Sequence, residues 1–352
     1  MTHLWIRAES RADERRVGIM PDGVARLLAK GIAVTVEESA TRVIPADAFR
    51  RAGATVAPQG SWPQAPDDAI IFGLKELPDD GTPLRHRHVM FGHAFKGQGA
   101  GRRLLARFRA GGGALYDLEY LVDETGRRVA AFGYWAGYAG AAVSALAWAA
   151  QTKGRICPPV TTWPSADAML SECRVALSEA PRPEALVIGA LGRVGTGARE
   201  LCGALDIPVT GWDIAETAHG GPFPEGLDHG LFLNCILAAP GVPAFVPRDA
   251  GTRERALRVI GDIACDPDSA YNPVPVYDHA TSWAAPVVRV HDAPPLDVMA
   301  IDNLPSLLPR ESSEDFAAQL LPHLSDLDRI DAGVWGRARE TFEKHKAQGA
   351  AD

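Results

Sequence analysis

The sequence predicts an α/β chain of two domains, each built on a doubly wound, largely parallel sheet. Three observations carry that expectation. The chain has 352 residues, and at roughly 100–200 residues per domain two cores are expected. Short apolar runs alternate with amphipathic stretches through the first third, the pattern of strands joined by crossover helices. A second alternating block opens near Leu186 and runs to about Asp266.

The elements follow in order. Residues 4–7 form a short apolar strand, and residues 22–30 place Val24, Leu27 and Leu28 at helical spacing before the stop at Gly31. Residues 32–37 alternate as a strand, 46–52 form a short helix closed by Gly53, and 69–74 form an apolar strand ending in Lys75-Glu76. Residues 89–93 read as another strand, followed by a basic helix to about Ala110; strands at 114–118 and 129–132 complete the first set. Residues 133–150 read as a long helix lined with small residues, a packed connector between domains, and 158–163 as a loop. Beyond Pro294 the chain is loop-rich until Ser312, and helices at 313–324 and 332–345 finish it, placed to pack back on the first domain.

Composition narrows the function classes. Hydrophobic residues make up 46% and charged residues 23%, ordinary globular usage. A formal net charge of −8 argues against nucleic acid, whose binding needs Lys and Arg to neutralise phosphates. No apolar run reaches the roughly 18 residues of a spanning helix, so no membrane partner is expected. The five cysteines (Cys157, Cys173, Cys202, Cys235 and Cys265) form no CxxC, and no apolar leader precedes them. A reduced, cytoplasmic protein is expected, with Cys157, Cys173 and Cys202 as buried small hydrophobes.

The most physical motif is an apolar strand, residues 186–188, that runs into Gly189, Gly192 and Gly195 and then a helix at 198–205. Glycines allow a tight turn and let backbone N–H groups approach a pyrophosphate, to which the helix N-terminus adds favourable partial charge. The spacing is G-x-x-G-x-x-G rather than G-x-G-x-x-G, so the glycines alone would fit any turn of an α/β unit. Asp213, at the end of the next strand (207–212), stands where an acid meets the adenosine ribose hydroxyls. A carboxylate there would repel a 2′-phosphate, so the cofactor expected is NAD.

Ionisable residues gather at the ends of the first domain's strands: Arg16, Lys75, Glu76, His93, Lys96, Glu119, Arg127 and Arg128. The carboxyl ends of strands in a doubly wound sheet face one crevice, where Lys75, His93 and Glu119 could converge. A lysine crowded by cations is a usable base, and histidine moves protons near neutrality. Each residue taken singly would also be satisfied as a solvated surface charge. His86 and His88, near His93, invite a metal reading, which is set aside because no fourth ligand stands at a sensible spacing.

These segments carry a resemblance: Arg7-Ala8-Glu9, residues 72–78 around Lys75-Glu76, residues 91–96 around His93, residues 115–119, residues 126–133, Gly189–Arg193, Trp212-Asp213-Ile214, residues 220–223, and residues 303–311. In order and over nearly the whole length, the chain resembles the NAD-dependent, L-lysine-forming saccharopine dehydrogenases. The resemblance implies two Rossmann-like domains with an interdomain active-site cleft, the first spanning 1–132 and completed by 308–352, the second spanning 133–307. It implies the reversible conversion of saccharopine, NAD and water to lysine, 2-oxoglutarate and NADH. Lys75 would take the proton of the secondary amine, and His93 would serve hydration and collapse of the imine. Arg16, Glu76, Lys96, Gln98, Glu119, Arg128, Phe132, Ala264, Cys265 and Asp266 match substrate-side positions. Arg127, Gly192, Arg193, Asp213, Thr217, Leu237, Ile263, Ile301, Asp302, Asn303 and Leu304 match cofactor-side positions. No metal is implied, small molecules are the partners, and a monomer is expected.

The resemblance also marks departures. Val194 stands where fungal relatives have a cysteine able to pair with the position of Cys235, so that disulfide cannot form. Arg11 replaces a lysine, Ala218-His219 a Ser-Arg pair, and Leu237 an aromatic. Two other readings use the same residues: an alanine dehydrogenase-like or opine dehydrogenase, and a non-catalytic NAD-sensing protein.

Overall fold

The computed structural model describes residues 1–96, 99–237 and 239–348. The chain divides into two compact units: Met1–Ala131 together with the chain from Ser312 onward, and Phe132–Glu311.

In the first unit β1 (His3–Ile6), α1 (Pro21–Ala29), β2 (Ala33–Glu37), α2 (Ala46–Arg51), β3 (Thr55–Ala57), β4 (Ile70–Phe72), β5 (Arg87–Met90), α3 (Gly99–Gly111) and β6 (Ala114–Asp117) follow one another. Among the described residues the six strands are all parallel, in the order β3-β2-β1-β4-β5-β6. A parallel strand is covered on both faces and needs apolar residues throughout; Ile70, Ile71 and Phe72 are accordingly all buried. α1 opens on Pro21, whose missing N–H costs nothing in a first turn, and buries Val24 and Leu27. α3 turns Leu104, Leu105 and Phe108 inward.

Three expectations need correction here. Residues 129–132 form no strand: Val122 pairs with Arg128 as an isolated bridge. Asp123 closes the turn too tightly for a ladder, its side chain accepting the N–H groups of Thr125 and Arg127. The strand expected at 89–93 stops at Met90, and His93 sits beyond it with φ +48°. A helix between residues 163 and 186 was not expected; it is taken up in the second unit.

That unit holds α4 (Gly133–Thr152), α5 (Ala166–Leu177), β7 (Ala185–Ile188), α6 (Arg193–Ala204), β8 (Val209–Trp212), α7 (Ile214–Thr217), β9 (Leu231–Asn234), β10 (Val259–Asp262), β11 (Val288–Asp292) and β12 (Pro295–Met299). The strand order among the described residues is β11-β12-β10-β9-β7-β8, with β11 antiparallel to β12 and the other pairings parallel. α5 is the additional helix; Ser165 caps it by accepting the Ala168 N–H at 3.2 Å, the signal that marks its start.

α4 is not a connector. It lies in the second unit, with every residue from Gly137 to Gln151 buried. Its small residues serve a close crossing with α6: a Cβ on Gly137 would collide with the Val194 carbonyl, and one on Gly197 with that of Tyr134. Two further helices, α8 (Pro309–Leu324) and α9 (Gly333–Gln348), end the chain, and from Ser312 onward it belongs to the first unit. There Phe316, Leu320, Trp335 and Phe342 are fully buried. Among the described residues no helix is long and apolar enough to cross a membrane. Cys157, Cys173 and Cys202 are buried, and burial pushes each thiol up to about 12.

Candidate active site

Ligands of a doubly wound sheet bind beyond the carboxyl ends of the strands, where the strand order reverses. In the first unit that point lies between β1 and β4. β1 leads into Arg7-Ala8-Glu9 and β4 into Gly73-Leu74-Lys75. Lys75 is therefore a switch-point residue, half-buried, and its charge acts on the carboxylates of Glu14 and Glu76.

Both carboxylates are already paired with arginines. Glu14 is buried; burial alone would raise its pKa, but Arg16 beside it, helped by Lys75, leaves it lowered. The Arg16 guanidinium forks onto it, Nε to Oε1 at 2.8 Å and Nη2 to Oε2 at 2.6 Å. Arg16 is itself buried. Arg11 reaches Glu76 Oε1 through Nε at 2.7 Å and Nη2 at 2.5 Å.

The next two strands supply a second group. His93 Nδ1 lies 3.3 Å from Glu119 Oε2, and Lys96 Nζ lies 3.0 Å from Oε1. The 3.3 Å contact is an ion-pair distance, and among the described residues Oε2 accepts no hydrogen bond. Glu119 is nonetheless held down to about 2, because His93 and Lys96 favour its charged form over the cost of burial. At neutral pH it is an anion beside the imidazole. Asp117, fully buried at the end of β6, ties this group together: Oδ2 accepts the Gly92 N–H at 3.2 Å and Oδ1 the Glu119 N–H at 3.0 Å. Burial pushes the Asp117 carboxyl up to about 6. His93 and Glu76 line one cavity of about 240 Å³, with Arg11, Gly92, Leu104 and Arg107.

The other expected substrate positions fall in both units. Arg128 is half-buried beside the Asp123 turn, and Arg127, expected on the cofactor side, is an exposed residue of the first unit. Gln98 lies outside the described residues. Phe132, in the second unit, is the N-cap residue of α4. Ala264, Cys265 and Asp266 follow β10, where Cys265 has φ +45° and donates its N–H to Asp262 at 3.2 Å. His86 and His88 are buried, His88 against the Trp62 and Phe108 rings at 5.2 and 5.5 Å; burial drives its pKa down. They are ring-packing residues.

On the cofactor side the glycine loop is a cradle. Gly189 has φ +87°, and a Cβ on Gly195 would strike the Gly189 carbonyl. Gly192 is the N-cap of α6 and Arg193 its first residue, so the helix begins at the loop itself, five residues earlier than the sequence indicated. Asp213 at the end of β8 accepts the Leu191 N–H at 3.0 Å and caps α7, and Thr217 Oγ1 donates to the Asp213 carbonyl at 2.8 Å. A cavity of about 380 Å³ opens here, walled by Ile188, Gly189, Asp213, Thr217, Ile236 and Val242 among others. Apolar walls with one carboxylate fit an adenosine: the ring takes the walls and the ribose hydroxyls the acid. Ala218 also lines it; His219 packs against Phe223 at 5.2 Å.

Ile263, Ile301 and Leu304 are buried, so what they could offer a ligand is backbone; Leu237 and Asp302 are exposed and Asn303 half-buried. Sequence reasoning missed a buried network at the ends of β9 and β10. Asn234 Nδ2 donates to Asp262 Oδ1 at 2.9 Å and Tyr277 Oη to Oδ2 at 2.7 Å. The available signal was a polar residue closing each of two apolar strands.

Comparison with known proteins bears on both halves. The alanine dehydrogenase/PNT N-terminal domain family matches residues 5–139. The chain is 43% identical to a saccharopine dehydrogenase [NAD(+), L-lysine-forming] of Schizosaccharomyces pombe, over 97% of each chain. It is 44% identical to the protein of the same name from Yarrowia lipolytica, also over 97% of each. Among solved structures an L-alanine dehydrogenase superposes with a TM-score of 0.67 at 18% identity, covering 99% of this chain and 94% of the other, a likeness of fold.

Proposed function

The chain belongs to the family of NAD-dependent, L-lysine-forming saccharopine dehydrogenases, and from that premise we propose that it interconverts saccharopine with lysine and 2-oxoglutarate, with Lys75 and His93 moving the protons. The observation that supports this most is the first unit's pair of proton-transfer groups: Lys75 at the switch point, and His93 against the anionic Glu119 on the cavity that Glu76 lines.

NAD+ supplies the hydride acceptor when bound; Gly189, Gly192 and the first turn of α6 would hold its pyrophosphate and Asp213 its ribose. Lys75 Nζ, as the free amine, takes the proton of the substrate's secondary amine as the adjacent carbon gives up hydride, leaving a C=N bond. His93 then takes a proton from the water that adds to that carbon. The imidazolium returns that proton to the nitrogen, giving the carbinolamine; the imidazole then takes the carbinolamine's hydroxyl proton and passes it to the nitrogen as the C=O forms and the C–N bond breaks, and lysine and 2-oxoglutarate result. Glu119 stabilises the imidazolium while it lasts, and Lys96 holds Glu119.

The alanine dehydrogenase N-terminal match supports one competing reading, in which ammonia and pyruvate are the partners. NADH oxidation decides between them. Turnover with lysine plus 2-oxoglutarate and none with pyruvate plus ammonia is the expected result; the reverse replaces the proposal. NADH binding with no turnover on any amine would make the chain a sensor.

A further inference from the structure

We propose that the buried Arg7–Glu9 pair is a positioning device for Lys75, fixing both peptide groups from which the amine is carried. The inference rests on the reading of Lys75 as the proton acceptor.

The geometry is specific. Glu9 Oε1 accepts the Leu74 N–H at 2.6 Å, and Oε2 accepts the Lys75 N–H at 3.0 Å. Arg7 Nη1 meets Glu9 Oε2 at 3.1 Å, and Arg7 Nη2 donates to the Lys75 carbonyl oxygen. The Lys75 N–H and C=O are therefore both held by one ion pair, whose side chains are 1% and 8% exposed. The approach leaves no space at the neighbouring position, where a Cβ on Gly73 would lie inside the Arg7 guanidinium.

The pair is held in turn. The Arg7 N–H bonds the Phe72 carbonyl at 2.9 Å, which extends the β1–β4 pairing by one residue. Arg42 Nη2 donates to the Arg7 carbonyl at 3.2 Å and Nη1 to the Glu37 carbonyl at 2.8 Å. The Glu37 carboxylate, fully buried, accepts the N–H groups of Ala8, Gly60 and Trp62 at 2.9, 2.9 and 2.6 Å. Lys75 thus stands at the end of a continuous chain of polar contacts reaching through β2 to the Trp62 turn.

Stability is a poor reason for such a pair. Burying two charges costs nearly what their attraction returns, and among the described residues the buried Arg7 Nε has no hydrogen-bond partner, which adds to the cost. Catalysis is a better one. A flexible four-carbon amine acts as a base only if its root is fixed, because displacement by about 1 Å can cost about 10²-fold in rate.

The test is a double-mutant cycle on the full chain. Glu9→Gln keeps size and removes one acceptor. The expected result is a kcat lowered about 10- to 100-fold, with NADH affinity, read by fluorescence, within about twofold. In a Lys75→Met background the same substitution should cost under about threefold, since there is no amine left to position. An equal loss in both backgrounds, or no loss in the first, overturns the proposal. Arg7→Lys repeats the cycle if Glu9→Gln does not fold: it keeps the charge opposite Glu9 but loses the fork to the Lys75 carbonyl, and the same two outcomes decide. Should Lys75→Met itself leave turnover intact, the base assignment fails; a large Lys75→Met effect beside a silent Glu9→Gln removes the positioning claim alone.

Discussion

The two units build the same crevice and fill it in opposite ways. Each has a parallel core sheet whose order reverses beside its first strand, between β1 and β4 in one and between β7 and β9 in the other. In the second unit β7 runs into a bare glycine turn and α6 starts at once, so backbone N–H groups and a helix end face the space. In the first, β1 runs into Arg7-Ala8-Glu9 and α1 starts only at Pro21. The space is taken by a buried ion pair and the lysine it holds. A phosphate cradle needs absent side chains; proton transfer needs present ones, held still. One sheet topology serves both because the switch point is a property of strand order, while its occupant is a property of the first loop.

The comparison breaks most sharply at Lys75. Lys75→Met should slow hydride transfer by about 10²–10⁴-fold, measured by single-turnover NADH oxidation, while NADH binding, which the proposal assigns to the other unit, stays within about twofold. Lost NADH binding would mean that the two crevices do not divide the work. In the second unit Asp213→Ala should shift the NAD/NADP preference by about tenfold toward NADP, read from the ratio of kcat/KM values. An unchanged ratio would remove the ribose assignment and leave Asp213 as a cap for α7 alone.

Glu119 tests the electrostatics of the first crevice. Its pKa, held down to about 2 from an ordinary 4.5, means that its ion pairs stabilise the fold above about pH 4.5 and are lost as pH falls toward 2. Glu119→Gln should therefore unfold more easily than the parent in urea at pH 7 and approach it at pH 3. A stability gap that is flat across that range would show that the pairing with His93 and Lys96 contributes nothing. Asp117 gives the smallest effect, of opposite sign. Its carboxyl is raised by burial from 3.8 to about 6, so what it contributes is present below 3.8 and lost as pH rises through 6. Relative to Asp117→Asn, the parent should lose about 2–4 °C of melting temperature between pH 4 and pH 7. A gap that widens instead would mean that the Gly92 and Glu119 N–H groups hold the charged form.

Much of this was legible because it is local. The strand–glycine–helix passage from Leu186 and the acid at Asp213 are neighbours in sequence or one βα unit apart. The errors have a common cause. Residues 129–132 carry strand-like residues, but past the tight Asp123 turn Val129 meets the Leu121 carbonyl and Ala131 the Gln319 side chain rather than a strand, and α4 carries small residues whose use, a close crossing with α6, depends on a helix some sixty residues away. Arg16 is legible as a cation at a strand end, yet its bidentate commitment to Glu14 is a matter of burial.

By itself the sequence determined the α/β class, most of the strands and helices, the strand–glycine–helix passage with Asp213 after the next strand, and the residue types able to move protons. Periodicity, turn residues and strand ends encode these within about ten residues. Only the tertiary structure decided the strand order and what stands at each reversal. It turned His93 out of its strand onto Glu119, and it brought Arg7 and Glu9, just past β1, across to grip Lys75 in the segment that follows β4. Such contacts join residues far apart in the chain, and no local pattern records them, because what selects them is the shared cost of leaving buried charges and peptide groups unpaired.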